Sequence, residues 1–231
     1  MTVRAAELVA ALPIVPVTTR SLRQYRRIRL PGDAPKFAVA GNGGHLLIDG
    51  VPDAVWAGVV ADRLARVAPL AMAVKQLQGI SQPDWRIREV DDLFCYAVLD
   101  RGRSARPVLS ELRSWAADNG WTVSLQGRKL YLVPAPLTKS AAVAEVAARM
   151  TANTAYAAGD SLLDIDLLEY ADEGVHPGHG ELAESGWSAP HVRRLSEKGA
   201  LAGQRVVEWF AGKAQAEPAT DGTLPRPGRH R

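Results

Sequence analysis

Short apolar runs alternate along this chain with segments whose apolar positions recur at helical spacing. Ile14 to Val17, Phe37 to Ala40 and Leu46 to Ile48 have the length and content of buried strands. Thr2 to Leu12 reads as an amphipathic helix, and Ser21 to Arg29 reads as another. Gly41-Asn42-Gly43-Gly44 between two of the apolar runs predicts a tight turn. Asp49-Gly50 predicts a second turn. Past it, Trp56, Val60, Leu64 and Val67 form an apolar stripe on a predicted helix that also carries Val55, Val59, Asp62 and Arg63.

The pattern then changes. Ile87 to Val90 and Phe94 to Leu99 read as strands, and Val108 to Asn119 as a helix stopped by Gly120. Trp121 to Leu125 and Leu130 to Val133 read as two more strands joined at Gly127-Arg128. This strand-strand-helix-strand-strand block predicts a small inserted domain. After Pro134-Ala135-Pro136 the alternation of the first fifty residues resumes. Ser140 to Met150 is predicted helical, Thr154 to Ala158 is a short strand, Leu162 to Ala171 is helical, and a helix from Gln204 to Phe210 closes the fold. The expected organisation is a core from residues 1–46 and 135–212, a cap over 47–134, and a disordered tail over 213–231. The expected class is α/β, since alternating strands and helices favour a parallel sheet covered by helices. Ligands in such sheets bind beyond the carboxyl ends of the strands, and Thr18, Asn42 and Asp160 fall at such ends.

Composition narrows the picture modestly. Hydrophobic residues make up 47% of the 231 and charged residues 23%, which suits a globular chain. The single cysteine, Cys95, forms no disulfide within the chain and reads as a buried cap-strand residue; that usage points to a reducing cytoplasm. The longest apolar stretch, Leu8 to Val17, is too short to span a membrane and contains Pro13 and Pro16. Net charge is only +3. Arg20, Arg23, Arg26, Arg27 and Arg29 form a basic stripe, but no nucleic-acid motif accompanies it, so it reads as a solvated helix face near a phosphate site.

The chemistry concentrates in a few places. Gly159-Asp160-Ser161-Leu162-Leu163-Asp164 puts one carboxylate at a strand tip and a second one helical turn later. Such a pair suits Mg²⁺, which takes few carboxylates and completes its shell with water and phosphate oxygens. Acidic residues at a helix start also suit a solvated N-terminus. Thr18, followed by Thr19 and Arg20, offers a hydroxyl and backbone N–H groups to a phosphate, and equally offers a helix cap. Lys139 before a helix supplies a cation for phosphate charge, or stands as an ordinary surface lysine. His176 and His179 follow the acidic motif and read as loop residues.

In order and spacing, Val17-Thr18-Thr19-Arg20, Asn42-Gly43-Gly44, Lys139 and Gly159-Asp160 with Asp164 resemble the second to fourth motifs of the haloacid dehalogenase (HAD) superfamily. The likeness is to its phosphatases with a large α/β cap, of the Cof and sucrose-phosphate-phosphatase type. It covers roughly Val3 to Phe210. Pro16 to Asn42, Gly127 to Tyr131 and His179 to Leu182 resemble a bacterial subgroup tied to tellurium-resistance stress clusters, which implies partner proteins of such a system. The resemblance implies a Rossmann-like three-layer core with an inserted α+β cap, and a small phosphorylated substrate. It makes Thr18 and Lys139 the catalytic phosphoryl-binding pair and Thr19, Arg20, Asn42 and Gly43 substrate-binding. Asp160 and Asp164 become the Mg²⁺ residues, with Asp164 completing the site or anchoring Lys139.

In that family an aspartate at the end of the first strand attacks phosphorus, and a second aspartate two residues later acts as acid and base. This chain has no aspartate before Asp33. The first core strand and the nucleophile are therefore expected to be missing, with Met1 an internal methionine of a longer protein. The alternatives are a degenerate relative and a chain that borrows a strand. Two functions follow: a Mg²⁺-dependent phosphatase truncated at its N-terminus, or a non-catalytic phosphate-binding scaffold of a stress-response system.

Overall fold

The computed structural model describes residues 1–81, 85–99 and 106–216. In chain order it begins with helix α1 (Val3–Ala11), the single-turn helix α2 (Leu22–Tyr25) and strand β1 (Phe37–Ala40). Strands β2 (His45–Ile48) and β3 (Val51–Pro52) and helices α3 (Ala54–Leu64) and α4 (Leu70–Ile80) follow. Then come β4 (Arg86–Val90), β5 (Phe94–Val98), α5 (Arg106–Asp118), β6 (Trp121–Gln126), β7 (Lys129–Pro134) and α6 (Lys139–Arg149). The last third contains β8 (Tyr156–Ala158), α7 (Ile165–Tyr170), β9 (Glu173–His176), α8 (Glu181–Ser185), β10 (Val192–Arg194) and α9 (Gly199–Ala216).

The contacts form two compact units. One comprises Met1–Ile14, Arg29–Pro35 and the chain from Val143 on; the other comprises Val15–Ile28 and Lys36–Ala142. This grouping differs from the boundaries expected near residues 46 and 135, because the segment after Pro16 is hydrogen-bonded into the second unit. Thr18 N–H donates to the Val39 carbonyl, Val39 N–H to Pro16 and Gly41 N–H to Arg20. Leu22 N–H donates to Asp91 Oδ2 at 2.6 Å.

The β8–β10 unit holds a parallel sheet in the order β10-β9-β8. Ala157, Val175, Leu167 and Leu168 are buried there, and α1 packs on α9. Thr2 caps α1 by accepting from the Ala5 N–H, and its hydroxyl also meets Gln204 of α9 at 2.7 Å.

The β1–β7 unit holds two sheets. β1-β2-β3 is antiparallel. The reason is local: only the turn Gly41–Gly44 separates β1 from β2, and a parallel return needs a crossover of a dozen residues or more. The apolar run Ile14–Val17 makes only an isolated parallel bridge, Val17 to Val39. The four-stranded sheet has the order β4-β5-β7-β6, all antiparallel. It follows the predicted strand-strand-helix-strand-strand block closely. One face carries Cys95, Ala97, Leu130 and Leu132, all fully buried, and helices α4 and α5 pack on this sheet.

Other expectations changed. The helix expected over Ser21–Arg29 is one turn, held by a reciprocal capping box between Ser21 and Gln24. Helix α4, strands β9 and β10 and helix α8 were not foreseen. Lys213–Ala216, assigned to a disordered tail, form the last turn of α9. Residues 217–231 of that tail lie outside the described residues.

Candidate functional site

Thr18, Thr19, Arg20, Asn42, Gly43 and Lys139 all belong to the β1–β7 unit. Thr18 sits where the Pro16–Thr18 segment leaves β1, and its Oγ1 accepts from the Arg20 N–H at 3.2 Å. The Thr18 carbonyl in turn accepts from the Asn42 N–H at 3.1 Å. Two motifs far apart in sequence are thus joined through the backbone.

Asn42 adopts a left-handed conformation, φ 56° and ψ 35°, which asparagine tolerates better than most residues. It is 3% exposed. Its Nδ2 donates to the Leu137 carbonyl at 2.8 Å, while Oδ1 is buried without a hydrogen-bond partner among the described residues. Gly43 has φ +99°, and a Cβ there would stand 2.1 Å from the Thr138 carbonyl oxygen. Only glycine lets the 41–44 turn approach the backbone that leads into Lys139. Trp56, read in the sequence as a core residue, also supports this turn by donating from Nε1 to the Gly43 carbonyl at 2.8 Å. Lys139, the first residue of α6, is 3% exposed. That burial departs from an ordinary surface lysine, since a buried ammonium needs compensating partners.

Asp160 and Asp164 belong to the β8–β10 unit. β8 delivers Asp160, which is exposed, to its carboxyl end. Asp164 is 7% exposed. Its Oδ2 accepts from the Asp160 N–H at 3.0 Å and the Ser161 N–H at 2.9 Å. Asp164 therefore acts as a local clasp that fixes the backbone on which Asp160 stands. Gly159 makes room for it: a Cβ there would lie 2.3 Å from Asp164 Cβ.

Two residues absent from the expected site also shape it. Glu181, at the start of α8, accepts from the Leu162 N–H at 3.1 Å through Oε2, and the Leu182 N–H donates to the Asp160 carbonyl. Burial holds the Glu181 carboxyl above its usual range; the Leu162 N–H opposes this, and the charges of Asp160, Glu184 and Asp164 add to it. Asp91 is the second. Besides holding Leu22 N–H, its Oδ2 meets His45 Nε2 at 3.1 Å and so fixes the arm that follows Thr18. Only a tertiary pairing separates Asp91 from any other loop carboxylate, so the sequence carries no signal for it. His176 is 1% exposed, with Nδ1 against the Pro177 carbonyl. Its pKa is lowered by burial and by Arg194, against a raising effect of that carbonyl.

No group of three or more His, Cys, Asp or Glu side chains suited to a metal occurs among the described residues. A metal held mainly by protein side chains does not fit. A Mg²⁺ ion that keeps its waters and takes phosphate oxygens needs only one or two carboxylates, and the exposed Asp160 fits that demand.

The fold, with a parallel sheet in one unit and a four-stranded antiparallel sheet in the other, is similar to that of solved phosphatases. Among solved structures, the sucrose-phosphatase of Synechocystis, in complex with sucrose and phosphate, matches with a TM-score of 0.69 at 15% identity, over 91% of this chain and 93% of that one. The C-terminal domain of the trehalose-6-phosphate phosphatase of C. albicans matches with 0.57 at 13% identity, over 90% and 82%. A phosphatase of the HAD superfamily from Bacteroides thetaiotaomicron matches with 0.54 at 16% identity, over 91% and 88%. No family model matches the sequence, and no curated protein does. The likeness lies in the fold.

Proposed function

We propose that this chain is a HAD-type phosphatase domain that binds a small phosphorylated substrate with Mg²⁺. The observation that carries the reading is the Asp160–Asp164 turn at the end of β8. There a buried carboxylate spends one oxygen on two backbone N–H groups and holds an exposed carboxylate in place. Mg²⁺ bound at Asp160 would neutralise phosphate charge and polarise the phosphoryl oxygens. Thr18 and the backbone after it would hydrogen-bond the phosphoryl group, with Thr19 and Arg20 beside them. Lys139 would supply the fixed cation, and Asn42 and Gly43 would border the substrate.

A second reading is a non-catalytic phosphate-binding scaffold of a stress-response system: the hydrogen-bond partners around Thr18 are the backbones of Arg20, Val39 and Asn42, none of them a carboxylate. Titration calorimetry with Mg²⁺, on the wild type and Asp160→Asn, tests what both readings share. Weak Mg²⁺ binding is expected, tightened by inorganic phosphate and lost in Asp160→Asn. Equal binding by the two proteins would remove Asp160 from the site.

A further inference from the structure

The β4-β5-β7-β6 sheet ends in two edge strands of opposite character. β4 carries Arg86, Arg88 and Glu89, and charges of this kind keep an edge from adding a further strand. β6 has no charged residue, no proline and no glycine from Trp121 to Gln126. Its register with β7 runs through without a bulge. It therefore lacks the features by which native edges resist pairing.

The hydrogen bonds fix which backbone groups of β6 point outward. Ala135 N–H donates to the Gly120 carbonyl, so Gly120 faces β7. Residues of an antiparallel pair alternate between facing their neighbour and facing away. Thr122, Ser124 and Gln126 thus face β7, and Trp121, Val123 and Leu125 turn their N–H and C=O groups away from it. Trp121 is 3% exposed; its Nε1 donates to the Ala68 carbonyl at 2.9 Å, and Ala68 N–H donates to Asn119. The start of β6 is closed by that segment. Val123 and Leu125 are half-exposed, and their outward backbone groups have no hydrogen-bond partner among the described residues.

We propose that this edge is an interface between two copies of the chain, joined by antiparallel pairing of β6 with β6 of the second copy across a dyad at Ser124. The argument is self-complementarity, which a twofold interface requires. With the dyad at Ser124, Val123 lies opposite Leu125 of the second copy, and Thr122 lies opposite Gln126. Apolar meets apolar on the face that carries Leu130 and Leu132, and uncharged polar meets uncharged polar on the other. Each Val123–Leu125 pair exchanges both of its N–H···O=C bonds, as hydrogen-bonded antiparallel pairs do, and the dyad makes this happen twice. The same operation on β4 about Ile87 would set Arg86 opposite Arg88, a like-charge pairing that disfavours it. The edge of β6 thus accepts its own sequence and the edge of β4 rejects its own.

The test is sedimentation equilibrium on the full chain over a wide range of concentration. A reversible monomer–dimer equilibrium is expected, with the mass rising from 24.8 kDa toward twice that value. Val123→Pro removes the outward N–H without touching the ladder to β7. Thr122→Lys adds a charge to the paired row at an exposed position, where the fold tolerates it. Each should move the midpoint of dimerisation about tenfold or more to higher concentration, the worth of one or two net hydrogen bonds. Arg88→Ala, on the opposite edge, should leave the midpoint in place. Ser124→Cys sets two thiols across the dyad at a Cα separation of about 4.5 Å, within disulfide reach. Mild oxidation should then give a covalent dimer, while the buried Cys95 takes no part. A 24.8 kDa species at every concentration overturns the proposal. So does a dimer whose midpoint ignores both Val123→Pro and Thr122→Lys, or a Ser124→Cys dimer that fails to cross-link. Neither phosphate nor Mg²⁺ enters the measurement, so the reading of the phosphate site stands or falls separately.

Discussion

Asp164 keeps its carboxylate almost wholly out of solvent while two backbone N–H groups point at Oδ2. The spacing of Asp160 and Asp164 was legible in the sequence, but their division of labour was not. A four-residue offset puts both on one side of a turn; only the folded turn shows which carboxylate faces inward. Lys139 is similar. Its position before a helix was readable, and its burial was not, because burial depends on a glycine turn nearly a hundred residues away. Cys95 shows the opposite case, since its place on an apolar strand already implied burial. Burial, then the charge of Glu89, pushes its thiol up to about 12. At pH 8 only about one thiol in ten thousand is then ionised. A disulfide reagent at pH 8 should leave the native protein unlabelled over minutes and react with one thiol in guanidinium. Fast labelling of the native protein would show that β5 is not the buried strand described.

A 3-10 turn over Leu162–Asp164 enters α7, and the Asp164 carboxylate closes it onto the N–H groups of Asp160 and Ser161. Removing that carboxylate should cost more than a surface cap. Two charge-assisted bonds to backbone, at about 1.5–3 kcal/mol each, give an expected loss of roughly 2–5 kcal/mol for Asp164→Ala. Asp164→Asn keeps an acceptor oxygen and should lose about half as much. Denaturant unfolding of the two variants checks the order; equal losses would show that the charge, not the two hydrogen bonds, matters. The other elements divide by how local their cause is. The cap strands and α5 were readable because alternation and turn residues are local. β9, β10 and α8 were missed because each is short. Glu173–His176 becomes a strand by lying parallel between β8 and β10, a pairing across sequence that no local pattern announces. Ile14–Val17 failed in the other direction: its composition suits a strand, yet it finds only one bridge, at Val39.

Activity is a property of the whole molecule, because it needs a nucleophile as well as groups that bind and polarise phosphate. Thr18, Lys139, Asp160 and a metal are not the attacking carboxylate. Losing a nucleophile leaves only the residual acceleration from electrostatic stabilisation, on the order of 10⁴-fold below a complete site or worse. On the scaffold reading the chain releases no phosphate above background from a panel of sugar phosphates and nucleotides with Mg²⁺. Turnover that disappears in Asp160→Asn would overturn this and favour the phosphatase reading over the scaffold.

The sequence by itself determined the class of fold, the strand-strand-helix-strand-strand block and the positions of the small, acidic and hydroxyl residues that mark the motifs. These follow from period, turn chemistry and spacing, which are local and survive without a third dimension. The tertiary structure decided the rest. It buried Lys139 and Asn42 around the Gly43 turn and recruited Glu181 and Asp91. Each of these depends on groups far apart in the chain meeting a partner. A hydrogen-bonding group without a nearby partner in sequence finds one only when the chain closes on itself.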